Sequence, residues 1–279
     1  MESIKLTDRL KRVFSLAEED VEDILYPIHI LIGVLKEKTG ILGELSLKIP
    51  VKIEDLKIVA SNIDIGISEI KHDFFNSLIS KELLEVIKRA EILMKKYGQI
   101  YLNEGHVIKA IFSLDNEVNR FFSKEVKDLV QDITTTARDL IVNLRDYEKP
   151  DQKSNKVCIR RVKETDKDSL YTLIRDKFSE EWARNIISGF HLNKPTVFIA
   201  ELKNEIVGFG AYDVVRGKKG LFGPMGIIRN KRVHGIGYDI LHYCLMDMKK
   251  TGYEYAVISE AGPIEFYEKA CGAVVIHKN

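Results

Sequence analysis

The run Arg232-Val233-His234-Gly235-Ile236-Gly237 has residue types and spacing suited to holding a diphosphate. It lies between an apolar, glycine-broken run at 221–228 and an amphipathic run at 238–250, which predicts strand, tight loop, helix. Glycines there let the backbone turn sharply and approach a ligand, while the first helical N–H groups point outward without intrahelical partners. The candidate contacts are Arg232, Val233, His234, Gly235, Ile236, Gly237 and Tyr238, with Arg229 and Lys231 adding positive charge. Two glycines before a helix also make an ordinary turn, so the motif needs its context.

That context is a domain with a definite order of elements. Residues 157–162 alternate as a strand, and Thr165 or Asp166 can cap the helix that follows. Runs at 196–202 and 206–215 flank a Lys203-Asn204-Glu205 hairpin, and a turn at 217–220 leads into 221–228. Beyond the loop and its helix come a strand at 256–259, a turn and short helix at 262–269, and a strand at 273–277. This order resembles the GNAT acetyltransferases over about residues 156–279.

The resemblance implies an α+β domain with a mixed, mostly antiparallel sheet and acetyl-CoA as acyl donor. It also implies that the loop holds the donor's pyrophosphate and that the pantetheine arm pairs with strand backbone around Met225, Gly226, Ile227 and Ile228. In the family mechanism a neutral amine attacks the thioester directly, a backbone N–H stabilises the oxyanion, and Tyr267 protonates the departing thiolate. No carboxylate lies in 221–228, so Glu260 is the candidate base, beside the plainer reading of a solvent-facing strand end. Gly272 stands five residues after Tyr267 where the family usually has four. Tyr267 and Phe266 can alternatively serve to pack the short helix. Cys271 has no acid or His pattern around it and reads as packing.

The chain has 279 residues, 45% hydrophobic and 30% charged, with a net charge of +1, which predicts two ordinary domains and no general affinity for nucleic acid. Three scattered cysteines fit neither a disulfide framework nor a zinc site, so a cytoplasmic location and no metal are expected. The most apolar stretch, 24–35, is too short to span a bilayer, the N-terminus has no leader pattern, and no membrane association is expected. No P-loop signature is present.

The N-terminal half is a repeat. Leu6, Leu10, Val13, Phe14 and Ala17 recur in register as Ile79, Leu83, Val86, Ile87 and Ala90, and each copy continues into a His that opens an apolar helix, His29 or His106. Duplication predicts an all-α unit whose copies pack on each other, with repeats at about 6–48 and 79–126. The pattern resembles the Clp N-terminal domain, a docking module for substrates and adaptors, over about residues 1–146. The family's usual Thr-Glu-His departs here, with Ile28 and Gly105 in the Glu positions. Both histidines are read as satisfying nearby backbone groups rather than binding metal. Apolar residues at 126, 129, 130, 133, 137, 140, 141 and 144 predict a closing helix over 126–144. A polar stretch at 147–156 is then a linker to a domain at 157–279.

These features lead to an acetyl-CoA-dependent N-acetyltransferase acting on an unidentified primary amine, with the Clp-N-like unit recruiting a protein. The alternative is a catalytically weak CoA-binding sensor or adaptor. A third reading gives the N-terminal unit only a role in homodimer formation.

Overall fold

A computed structural model of the chain describes residues 4–19, 21, 23–63, 70–154, 156–191, 194–228, 231 and 234–277. Contacts divide it into two compact units that meet in sequence at Ala137 and Arg138.

The first unit is helical. It runs β1 (Lys5–Leu6), α1 (Asp8–Glu18), β2 (Ile24–Leu25), α2 (Pro27–Lys36), α3 (Gly40–Lys48), α4 (Ile53–Ser61), β3 (Leu78–Ile79), α5 (Lys81–Lys96), β4 (Tyr101–Leu102), α6 (Glu104–Ser113), α7 (Glu117–Phe121) and α8 (Lys124–Thr135). The repeated apolar positions of α1 and α5 are all buried. Thr7 and Ser80 cap those helices equivalently, each accepting an N–H three residues on, from Leu10 and Leu83. The copies interlock, since β1 pairs with β4 and β2 with β3, so the strand entering each helix is held by the other repeat. His29 and His106 use Nδ1 to accept the N–H of the residue before their helix, at 2.9 Å from Tyr26 and 3.2 Å from Asn103. A terminal donor is thereby satisfied in both copies, in line with the backbone role expected from sequence.

The closing helix expected over 126–144 is corrected by the structure. Thr134, Thr135 and Thr136 each turn a hydroxyl back to the carbonyl four residues earlier, which satisfies the acceptors of the last turn and ends α8. Residues Arg138–Asn143 then form strand β5, with Arg138, Leu140 and Val142 buried in strict alternation.

In the second unit β5 joins β6 (Cys158–Arg161), α9 (Lys167–Lys177), α10 (Glu180–Ser188), β7 (Val197–Leu202), β8 (Glu205–Tyr212), β9 (Leu221–Ile227), α11 (Ile236–Thr251), β10 (Tyr255–Ala261), α12 (Ile264–Cys271) and β11 (Val274–Val275). The sheet order is β11-β5-β10-β9-β8-β7-β6, and only β9 and β10 are parallel. One face packs Leu170, Ile174, Ala183 and Ile186 of α9 and α10 against Val197, Ile199, Phe209 and Ala211. The other carries α11 at close range, because Gly208 and Gly210 leave space that Ile240 fills; a Cβ there would lie 3.0 and 2.5 Å from its side chain. The expected α+β fold with a mixed, mostly antiparallel sheet is therefore present. Among the described residues no helix is long and apolar enough to cross a membrane.

A domain beginning at 157 omits β5, which lies between β10 and β11 and carries a ladder on both edges. A fragment spanning 138–279 should unfold cooperatively in urea while 156–279 should not; a sharp transition in the shorter fragment would show β5 to be dispensable. Burial, with Lys109 nearby, pushes His106 down to about 4. Protonation then favours the unfolded chain, so its contribution is complete above about pH 6.5 and is lost as pH falls towards 4, by roughly 3 kcal/mol at most. Hydrogen exchange of α5 and α6 in the full chain should record that loss, and His106→Gln should flatten it.

Candidate active site

The parallel pair β9 and β10 holds together over two residue pairs only, Leu221 with Val257 and Phe222 with Ile258. Both strands bend just beyond. Gly223 takes φ +123°, open to glycine alone, and Glu260 sits at φ +51° in the irregularity between Ile258 and Ala261. A gap opens between the strands from that point.

On its other edge β9 remains laddered to β8, with Gly226 opposite Phe209 and the Ile228 N–H donated to Val207 at 3.0 Å. The backbone groups of Gly226 and Ile228 are therefore used by β8, and strand alternation turns those of Met225 and Ile227 toward the gap. Gly226 has a packing role instead, since a Cβ there would lie 2.6 Å from the Phe178 ring.

Beyond the far end of β9, α11 starts behind Gly235, whose φ of +92° is a left-handed cap. Gly237 lies within the first turn of α11, and its value is space: a Cβ would meet only Ile227, at 3.8 Å. The first N–H groups of α11 thus stand beside the end of β9 that faces the gap.

Residues 160–273 match the Acetyltransferase (GNAT) family, and residues 3–125 match the Clp repeat N-terminal domain. The chain joins a Clp repeat domain to a domain of the GNAT family.

Solved structures resemble the two parts separately. The glucosamine N-acetyltransferase region of a fungal multidomain GH3 β-N-acetylglucosaminidase aligns at 16% identity over 55% of this chain and 22% of its own, with a TM-score of 0.44. A GCN5-related N-acetyltransferase from Sphaerobacter thermophilus aligns at 21% identity over 51% of this chain and 50% of its own, with a TM-score of 0.42. The N-terminal domain of the ClpD chaperone from Arabidopsis thaliana aligns at 18% identity over 48% of this chain and 94% of its own, with a TM-score of 0.38. The match thus spans half or less of those two acetyltransferase structures. No curated protein matches the chain.

Of the residues the sequence nominated for the GNAT site, Ile227, Ile236, Gly237 and Tyr238 gather at the junction of β9 and α11, with Gly235 capping the helix and His234 exposed beside it. Arg232 and Val233, with neighbouring Arg229, lie outside the described residues. Tyr267 comes to the fork. Its ring packs edge-on against Phe222, the last residue of β9 still paired to β10, with centroids 6.4 Å apart. Burial raises the Tyr267 hydroxyl far above its ordinary range, so the phenol keeps its proton. Gly272, at φ +64°, forms the left-handed cap of α12, one turn beyond the Tyr267 ring that rests on Phe222. Glu260 is exposed at the bulge, its carboxylate 2.5 Å from Arg216 and its N–H donated to Asp139 on β5 at 2.7 Å.

Sequence reasoning missed the segment before β6. The stretch read as a linker lies along α11: Lys153 and Ser154 donate N–H groups to Asp239 at 2.7 and 2.8 Å, and Lys249 donates to the Tyr147 carbonyl at 2.7 Å. Tyr147 also hydrogen-bonds through its hydroxyl to His242 Nδ1, and burial pushes His242 down to about 4, which leaves it neutral. An acid in the first turn of α11 was the available signal, because a buried Asp239 requires donors from elsewhere. Among the described residues no group of three or more His, Cys, Asp or Glu is placed to hold a metal ion.

Because Gly237 has room for a Cβ, Gly237→Val should fold normally yet fill the space at the head of the gap. Calorimetry should show CoA affinity reduced by at least tenfold with an unchanged melting temperature, and equal affinity would place the donor elsewhere.

Proposed function

We propose that the second unit transfers an acetyl group from acetyl-CoA to a primary amine by direct attack on the thioester. One observation carries this reading: β9 presents the backbone of Met225 and Ile227 to an open gap, with the first turn of α11 at one end and Tyr267 at the other. From Phe222 to Ile227 the strand rises about 16 Å, a path along which an extended pantetheine arm can add as a further strand. The positive end of α11 then meets the diphosphate.

At the fork, an N–H from β9 stabilises the developing oxyanion as the amine lone pair attacks the carbonyl carbon and the C–S bond breaks. Tyr267 gives its proton to the departing thiolate. The amine proton leaves to Glu260 or to water. The Clp repeat domain serves as the docking module for a protein substrate or partner.

The engagement of Glu260 by Arg216 favours a second reading, a CoA-binding sensor with weak transfer. Acetyl-CoA and an amine panel separate the two: saturable thiol release supports the enzyme, and tight CoA binding without release supports the sensor.

Tyr267→Phe removes one hydroxyl and nearly keeps volume. Turnover should fall by roughly 10²-fold with CoA affinity little changed. An unaltered rate constant where chemistry limits turnover would remove Tyr267 from the mechanism.

A further inference from the structure

We propose that Lys153, on the segment preceding the family-matched region, supplies a cation to the donor's diphosphate at the head of α11. The inference rests on the reading that this helix terminus receives the diphosphate. Charge accounting around α11 leads to it. Asp239 puts a buried carboxylate in the first turn, where it offsets the positive end of the helix. Both its oxygens are taken by backbone N–H groups of Lys153 and Ser154, which fixes the segment against the helix. A doubly charged ligand at this terminus therefore needs a cation beyond the helix itself.

Among the loop cations, Lys231 is already ion-paired with Glu205. Lys153 is differently placed. Its backbone crosses so close to the loop that a Cβ on Gly235 would lie 2.8 Å from the Lys153 Cβ. Its ammonium lies 3.6 Å above the ring of Tyr238, in the first turn of α11, and among the described residues it has no carboxylate partner. A cation held over an aromatic face keeps its hydrogen-bonding protons for an anion. Because Asp239 is gripped by the Lys153 backbone, changing the side chain leaves the segment anchored.

The test is calorimetry on the full chain with CoA and dephospho-CoA, which share the diphosphate and differ in the ribose phosphate. Lys153→Met keeps an unbranched side chain of similar length and removes the charge. It should weaken both ligands about tenfold, flatten the salt dependence of binding, and leave the melting temperature unchanged, while Lys153→Arg retains most of the affinity. Affinity equal to the parent in Lys153→Met overturns the proposal. So does a loss confined to CoA, which would place the ammonium on the ribose phosphate, and so does an equal loss in Lys153→Arg, which would make the role one of shape. Failure of the parent chain to bind either ligand would instead defeat the reading of the site itself.

Discussion

The gap that could receive an acyl donor exists because β10 is held from behind. A strand that leaves its parallel neighbour after two residue pairs exposes backbone groups on both edges, and such an opening closes or frays unless another strand secures it. Here β5 secures it, antiparallel to β10 from Asn143 opposite Tyr255 to Arg138 opposite Ala261. At the bulge, Asp139 accepts the Glu260 N–H that the ladder has released, so β5 holds β10 through the local departure from strand geometry.

The same economy appears on the α11 side. Two glycines of β8 bring that helix down on the sheet, and this proximity sets Gly237 against Ile227. The first turn of that helix carries a buried carboxylate, Asp239. That carboxylate, with Lys249 further along, anchors the segment at 147–154 against the helix. Neutral Tyr147 and His242, paired to each other and both displaced by burial, continue the polar seam without adding charge of their own.

In the Clp repeat domain duplication does the corresponding work. Each repeat lends a short strand to the other, and one histidine per copy closes a helix start. The buried pair Arg9 and Glu104, 2.8 Å apart, joins α1 of one copy to α6 of the other. A pair of that kind costs desolvation, and removing either partner would leave the other charge buried and uncompensated.

Local patterning made much of this protein legible in sequence. The repeat in the first unit, the succession of strands from β6 to β10, the glycine cap of α11 and the short helix that carries Tyr267 follow from spacing, because each depends on neighbours within a few residues. Tertiary structure decided what depends on distant partners. Residues 138–144 carry apolar side chains at both helical and alternating spacing, and only vacant sheet edges on β10 and β11 select the strand. The backbone of β9 assigns Met225 and Ile227 to the gap and Gly226 and Ile228 to β8, a division fixed by register with another strand. The polar stretch at 147–154 has the composition of a free linker, yet it is ordered by Asp239, 85 residues downstream of Ser154. Composition reports what a segment can do alone, whereas a buried carboxylate decides which distant N–H groups must come to it.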